Sequence, residues 1–167
     1  EIVLVVRITV LLLIKTETYM LLNKINPKLF FLLLGLILFL GFLVRLYRFD
    51  GPIADWHSWR QADTSAVSRN FVTDGFDLLH PKFDDLSNVP SGIDNPKGYR
   101  MVEFPIYNLF QAAFFKSFGV FSLEEWGRLV SISASMISSL FIFLIVKKRF
   151  GVSAAFFSFV FFLFLPF

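Results

Sequence analysis

Three apolar runs stand out in the pattern of hydrophobic and polar positions, and they cover residues 29–47, 127–146 and 152–167. A helix rises about 1.5 Å per residue, so roughly 20 apolar residues cross the hydrocarbon core of a bilayer. We therefore predict transmembrane helices 1 and 2 over the first two runs and the start of a third helix over the last. The predicted fold class is an all-α integral membrane protein.

Both ends of the sequence are abrupt. The first Met is Met20, and within the N-terminal segment 1–28 we expect translation to start there, although 2–14 is alternatively a short apolar segment. The sequence stops at Phe167 inside an apolar run, so we expect an N-terminal fragment that is inactive alone. A secretory signal peptide is the alternative for the first run, but no small-residue cleavage site follows Val44.

The basic residues predict the orientation of the two spans. Lys24 and Lys28 precede the first span and the basic run 147–149 follows the second. Positive charge beside a span favours the cytoplasmic side. We therefore predict a multi-pass protein of the plasma membrane in which residues 48–126 are extracytoplasmic, including a large first loop over 48–103.

Residues 104–119 form a shorter apolar and aromatic stretch that contains Pro105, Tyr107, Asn108 and Gln111. A helix of this length covers only about 22 Å, which is less than the hydrocarbon core. We predict an interfacial helix lying flat on the outer leaflet, with its aromatic rings at the headgroup level. The competing interpretation is a short tilted span.

Composition excludes two other classes of protein. Hydrophobic residues make up 56% of the chain, with 24 Phe, which is too many to arrange around one soluble core. The net charge of +3 comes largely from basic residues beside apolar runs, so it does not indicate nucleic-acid binding. The chain has no cysteine, and therefore neither disulfides nor thiolate metal sites.

The loop 48–103 carries the candidate chemistry, because long loops are usually functional. If residues 55–72 are helical, Asp55, Trp59 and Asp63 fall on one stripe.

Metal binding is a weaker possibility. Residues 78–99 are divided into turns by Pro and Gly and contain several oxygen ligands. These side chains are Asp84, Asp85, Asp94 and Asn95. Their spacing matches no calcium loop, so we favour solvated turns and leave a divalent cation as the alternative. His57 and His80, without cysteine, do not predict a zinc site.

The order of several motifs resembles the start of GT-C membrane glycosyltransferases. Within them it is closest to the protein O-mannosyltransferase, aminoarabinose transferase and bacterial lipopolysaccharide-sugar transferase branch. The resemblance covers about 29–167. After the first apolar helix, the motifs are Arg-Phe-Asp-Gly-Pro (48–52), Trp-Arg-Gln-Ala-Asp-Thr (59–64), Leu-His-Pro (79–81) and Val-Glu-Phe-Pro-Ile-Tyr-Asn (102–108).

This resemblance implies transfer of a sugar from a polyprenyl-phosphate donor to a glycan, lipid or protein acceptor at the outer face. Family members carry a catalytic acid in this loop, commonly in an Asp-Glu pair that this sequence lacks. Here the resemblance implies Asp63 as first choice, Asp55 as second, and Glu103 as a positioning or auxiliary acid. No cofactor is predicted.

The departing phosphate needs positive charge nearby, and an Arg guanidinium can bind two phosphate oxygens. Candidate donor-binding or substrate-binding residues are Arg60, Arg100, Arg128, Trp59 and Tyr107. The candidate catalytic and binding residues also have purely structural interpretations. Asp63 would merely pair with Arg60 or Arg69, Arg100 would be a loop charge, and the indoles would anchor the chain at the interface.

A non-enzymatic multi-spanning protein is the alternative function, such as a transporter or an envelope-assembly factor. A transporter would place ionisable residues within its spans, yet 29–44 and 129–146 contain none. An assembly factor would tolerate substitution of Asp55, Asp63 and Glu103.

Overall fold

The computed structural model describes residues 26–53, 58–88 and 92–165. Over these residues the chain is all-helical, with one isolated bridge and no strand, which confirms the predicted all-α class. The N-terminal segment before Asn26 lies outside the described residues, and so do Asp55 and His57. The helices are α1 (Pro27–Arg45), α2 (Ser58–Asp74), α3 (Ile106–Phe118), α4 (Leu123–Phe150) and α5 (Val152–Phe164).

Helices α1 and α4 are long and apolar enough to cross a membrane. The 19 residues of α1 cover about 28 Å and the 28 residues of α4 about 42 Å. Helix α1 begins with Pro27, and the Asn26 side chain accepts a hydrogen bond of 2.9 Å from the Lys28 amide. Proline at the first position and asparagine as N-cap are both favoured at a helix start.

Helix α4 begins four residues before the apolar run that predicted the second span. Ser122 and Glu125 form a capping box in which the Glu125 carboxylate accepts from the Ser122 amide at 2.6 Å. The Ser122 hydroxyl accepts in turn from the Glu125 amide at 3.2 Å. This Ser-x-x-Glu pattern satisfies two amides at the helix start, and it explains why α4 (Leu123–Phe150) starts before the predicted residue 127.

Helices α3 and α5 are the two shorter apolar helices, with 13 residues each. Helix α3 follows Pro105 and ends at Gly119, whose φ of 60° closes the helix in a left-handed conformation. It lies within the stretch 104–119 that predicted an interfacial helix. Gly151, with φ of 86°, separates α5 from α4.

The chain divides into two compact units. The first unit holds α1, α5 and the part of α4 that follows Ile132. Its buried hydrophobic cluster consists of Leu34, Phe143, Ala155, Phe159 and Leu163. Gly41 of α1 is in close contact with Leu163, and the Arg45 guanidinium donates a hydrogen bond to the Leu163 carbonyl. The small glycine therefore allows α1 and α5 to pack closely.

The second unit holds α2, α3 and the start of α4, with a core between α2 and α3. Its buried hydrophobic cluster consists of Ala66, Val67, Phe71, Phe83 and Ala112. The segment between α2 and α3 folds back on itself, because Phe83 donates to the Gly98 carbonyl and Arg100 to the Pro81 carbonyl, both at 2.8 Å. Gly98 has φ of 65°, and a Cβ there would lie 2.8 Å from the Phe83 oxygen.

We expect Gly41→Ala to destabilise the protein, because its new Cβ would lie 2.5 Å from Cγ of the fully buried Leu163. Overpacking of this kind costs about 1–3 kcal/mol. The matched control is Gly35→Ala on the same helix, where a Cβ meets nothing within 4 Å. There the change should be neutral or stabilising by up to about 1 kcal/mol. Thermal unfolding of both variants in detergent distinguishes these results, and equal midpoints would contradict the close contact.

Candidate functional site

Four of the predicted site residues lie together in the second unit. Arg60 and Asp63 are three residues apart on α2, so they lie on one helix face. Arg100 and Glu103 come from the segment before α3. An Asp63 carboxylate oxygen lies 3.1 Å from Nη1 of Arg100, and Nη2 of Arg60 lies 3.3 and 3.2 Å from the two Glu103 oxygens. We call these four residues the charge cluster.

The two ion pairs of the charge cluster differ in burial. The side chain of Arg100 is only 11% exposed, and its guanidinium carbon lies 5.0 Å from the centre of the Phe83 ring. A charge so buried needs a partner, which Asp63 supplies. Arg60 is 48% exposed and contacts Glu103 through one nitrogen. Exposed pairs contribute about 0–1 kcal/mol, so Arg60 can exchange Glu103 for another anion at small cost.

The structural interpretation of Asp63 predicted the wrong ion-pair partners. Asp63 pairs with Arg100 rather than with Arg60 or Arg69. Arg69 lies 3.0 Å from Asp84 and 3.9 Å from Glu124. The fold of the segment between α2 and α3, which brings Arg100 to α2, decides this pairing.

A buried polar cluster holds α2, α3 and the start of α4 together. It consists of Ser68, Asn108 and Gln111. Ser68 donates to the Gln111 side-chain oxygen at 2.7 Å, and Gln111 donates to the Leu123 carbonyl at 2.8 Å. Asn108 donates to the Thr64 carbonyl at 2.7 Å, next to Asp63. The polar cluster therefore fixes the backbone that carries the Asp63 carboxylate.

The sequence predicts no role in the site for either amide, Asn108 or Gln111. Their spacing of three residues in an aromatic run was the available signal, because it places both amides on one face of a helix. Their partner Ser68 lies 43 residues from Gln111 in the chain, and no local pattern indicates that contact.

Tyr107 on α3 lies near Arg128, which belongs to the second turn of α4. Burial raises the pKa of Tyr107, while a hydrogen bond with Ser131 and the Arg128 charge lower it in part. The two terminal nitrogens of Arg128 donate to the Phe49 and Gly51 carbonyls. Arg128 therefore holds the start of the loop against α4, and its terminal donors already bind backbone oxygens.

Trp59 lies at a more exposed position than Tyr107 and Arg128. Trp59 is exposed on the first turn of α2, beside Arg60 and one turn before Asp63. Its exposed ring is free to stack on a sugar or to contact lipid. Asp55 lies outside the described residues, so its place relative to Asp63 is not described.

Two of the three aspartates considered for metal binding, Asp84 and Asp85, make other contacts. Asp84 pairs with Arg69, and Asp85 accepts a hydrogen bond of 2.8 Å from the Ser87 amide. The Ser87 side chain and amide lower the pKa of Asp85. His80 lies 3.1 Å from Asp77. Within residues 26–53, 58–88 and 92–165, no group of three His, Asp or Glu side chains is arranged to hold a metal ion.

No protein-family model, no curated protein and no solved structure matches this chain.

We expect Ser68→Ala to destabilise the protein by about 1–3 kcal/mol, because it leaves the buried Gln111 oxygen without its donor. Ser117→Ala is the matched control, since Ser117 is an exposed serine on α3. Chemical unfolding in detergent measures both changes. An unfolding free energy lowered equally by the two substitutions would show that the polar cluster contributes nothing specific.

Proposed function

We propose that this chain is part of a multi-pass membrane glycosyltransferase of the GT-C type. The enzyme moves a sugar from a polyprenyl-phosphate donor to a glycan, lipid or protein acceptor outside the plasma membrane. The observation that carries the proposal is the charge cluster, in which two carboxylates pair with two guanidiniums in the part of the chain that connects two helices of spanning length. The motif order along the loop supports the same activity.

In the proposed topology, α1 and α4 cross the bilayer and the residues between them are extracytoplasmic. Lys28 at the start of α1 and the basic run at the end of α4 face the cytoplasm. The charge cluster then lies on the outer side, where a lipid-linked donor presents its phosphate and sugar at the membrane surface.

Asp63 is the proposed general base. The acceptor hydroxyl attacks the anomeric carbon, its proton passes to the carboxylate, and the bond between the anomeric carbon and the phosphate oxygen breaks. Polyprenyl phosphate leaves with the electron pair, and the configuration inverts. The 3.1 Å contact with the nearly buried Arg100 fixes the orientation of Asp63. General base catalysis contributes typically about 10²–10⁴-fold to the rate.

Arg60 is the proposed donor-phosphate ligand. It is half-exposed, and the single nitrogen on Glu103 leaves the rest of its guanidinium able to bind an oxyanion in a two-point contact. Phosphate bound at the other nitrogens draws charge away from the exposed contact with Glu103, so Glu103 can leave Arg60 at small cost and orient the acceptor. Arg100 stays with Asp63, and Arg128 stays with the backbone carbonyls of Phe49 and Gly51.

Asp55 remains the second candidate for the base, and Trp59 and Tyr107 remain candidate substrate contacts. Trp59 has an exposed ring near Arg60 along α2. Tyr107 follows Glu103 by four residues, and its burial favours the neutral phenol as a hydrogen-bond donor.

An envelope-assembly factor is the second candidate function, and one observation favours it. Asp63 and Glu103 both form ion pairs that also hold α2 to the segment before α3, which is a sufficient structural role for them. In that case the carboxylates affect stability alone.

We expect Asp63→Asn to lower sugar transfer by about 10²–10⁴-fold, because the amide cannot accept the acceptor proton. The assay measures radiolabelled sugar transferred from polyprenyl-phosphate donors in membranes holding the full-length gene product at matched expression. Asp94→Asn is the control, since Asp94 is an exposed aspartate of the same loop. It should retain parental activity.

Other outcomes of this assay reassign the roles. Full transfer by Asp63→Asn would move the base to Asp55 or Glu103, which Asp55→Asn and Glu103→Gln then test. Absence of transfer by the parent with every donor tried would favour the assembly factor.

A further inference from the structure

Four basic residues lie together at one end of the first unit. The ring of Phe30, two residues after Lys28, lies 6.2 Å from the Phe143 ring. The ammonium nitrogen of Lys147 lies 6.0 Å from the centre of the same Phe143 ring. The start of α1 therefore meets the end of α4, and Lys28 lies at the same end as the basic run 147–149. All four basic side chains are exposed, and we call them the basic end.

No carboxylate balances the basic end within its own unit. The described parts of the first unit, residues 26–47 and 133–165, contain no Asp or Glu. The arginines of the charge cluster, in the second unit, each have a carboxylate partner instead. Exposed cations without a counter-charge in their unit create a positive potential that attracts an anion.

The start of α5 adds hydrogen-bond donors beside the basic run. Gly151 separates α5 from α4, and no side chain caps α5. The amides of residues 152–154 precede the first bond within the helix, which Ala155 donates to the Gly151 carbonyl at 3.1 Å. In the same turn, the Ser153 side chain is only 7% exposed, and its hydroxyl has no hydrogen-bond partner among the described residues. Free amides at a helix start and an unpartnered hydroxyl are suitable donors for an oxyanion.

Two features favour a membrane phospholipid as the source of that oxyanion. The basic end lies at the start of α1 and the end of α4, which are both long and apolar enough to cross a membrane, so its cations lie at headgroup depth. Clusters of about four or more Lys or Arg beside a span are typical of proteins that bind anionic lipids. Phe150, directly after the basic run, is 72% exposed, and aromatic rings are enriched where a span meets the headgroups.

We infer that the basic end and the first turn of α5 bind the phosphate of an anionic phospholipid. The basic side chains contact the phosphate oxygens, and one phosphate oxygen supplies the acceptor that the Ser153 hydroxyl lacks. In the proposed topology this lipid belongs to the cytoplasmic leaflet. The site is independent of the charge cluster, and it would hold for an assembly factor as well.

Native mass spectrometry of the full-length protein in detergent, titrated with phosphatidylglycerol or phosphatidylcholine, tests the inference. We expect the parent to bind phosphatidylglycerol more tightly than phosphatidylcholine. The double variant Lys148→Gln with Arg149→Gln should bind phosphatidylglycerol about 30-fold more weakly, because each basic residue near anionic headgroups contributes about fivefold. The matched control, Lys82→Gln with Lys97→Gln, removes the same charge at exposed positions of the second unit and should bind like the parent.

Ser153→Ala keeps every charge and isolates the contribution of the α5 turn. We expect it to weaken phosphatidylglycerol binding by about 3- to 10-fold, because one hydrogen bond to the phosphate is lost. Unchanged binding by Ser153→Ala, equal losses in the two double variants, or equal affinity of the parent for the two lipids would each overturn the inference. Displacement of phosphatidylglycerol from the parent by inorganic phosphate would identify free phosphate as the ligand, and would overturn the assignment to lipid.

A second measurement leaves the sequence intact, in case the variants do not fold or insert. Phosphatidylglycerol that carries a photoreactive diazirine near its headgroup is irradiated with the full-length parent in vesicles, and the labelled peptides are identified by mass spectrometry. We expect label within residues 147–153. Label confined to other segments would show that the headgroup binds elsewhere, which overturns the inference.

Discussion

The hydrogen bonds of the Gln111 side chain are the interaction on which the second unit depends. Gln111 accepts from Ser68 on α2 and donates to the Leu123 carbonyl at the start of α4, so one buried amide connects three helices. Gly127 makes this possible, because a Cβ at that position would lie 2.7 Å from the Gln111 nitrogen. A buried amide with both groups satisfied stabilises one arrangement of its neighbours, since every displaced arrangement leaves a polar group unpaired.

The charge cluster and the exposed rings of α3 both follow from that connection. Asn108 holds the Thr64 carbonyl beside Asp63, and the segment before α3 brings Arg100 within 3.1 Å of the Asp63 carboxylate. The orientation of α3 that buries Asn108 and Gln111 leaves the rings of Phe110 and Phe118 exposed.

Local signals in the sequence predicted the helices well. Apolar length indicated α1 and α4, and Pro105 and Gly119 bound the helix expected over 104–119. The Ser-x-x-Glu pattern at Ser122 was available but unused, and it accounts for the earlier start of α4. The pairing within the site was not predictable, because Asp63 meets Arg100 only after the intervening segment folds back through Pro81 and Gly98. Contacts between residues so far apart in the chain leave no periodic pattern.

We propose that the charge cluster binds a lipid-linked sugar through its phosphate, and phosphorus NMR of a polyprenyl-phosphate sugar, titrated with the full-length protein in detergent, tests this binding. We expect the donor resonance to shift and broaden with the parent and to change much less with Arg60→Gln, while Lys97→Gln, at an exposed loop position, behaves like the parent. A donor resonance that the parent leaves unchanged, or that Arg60→Gln perturbs as strongly as the parent does, would contradict the account.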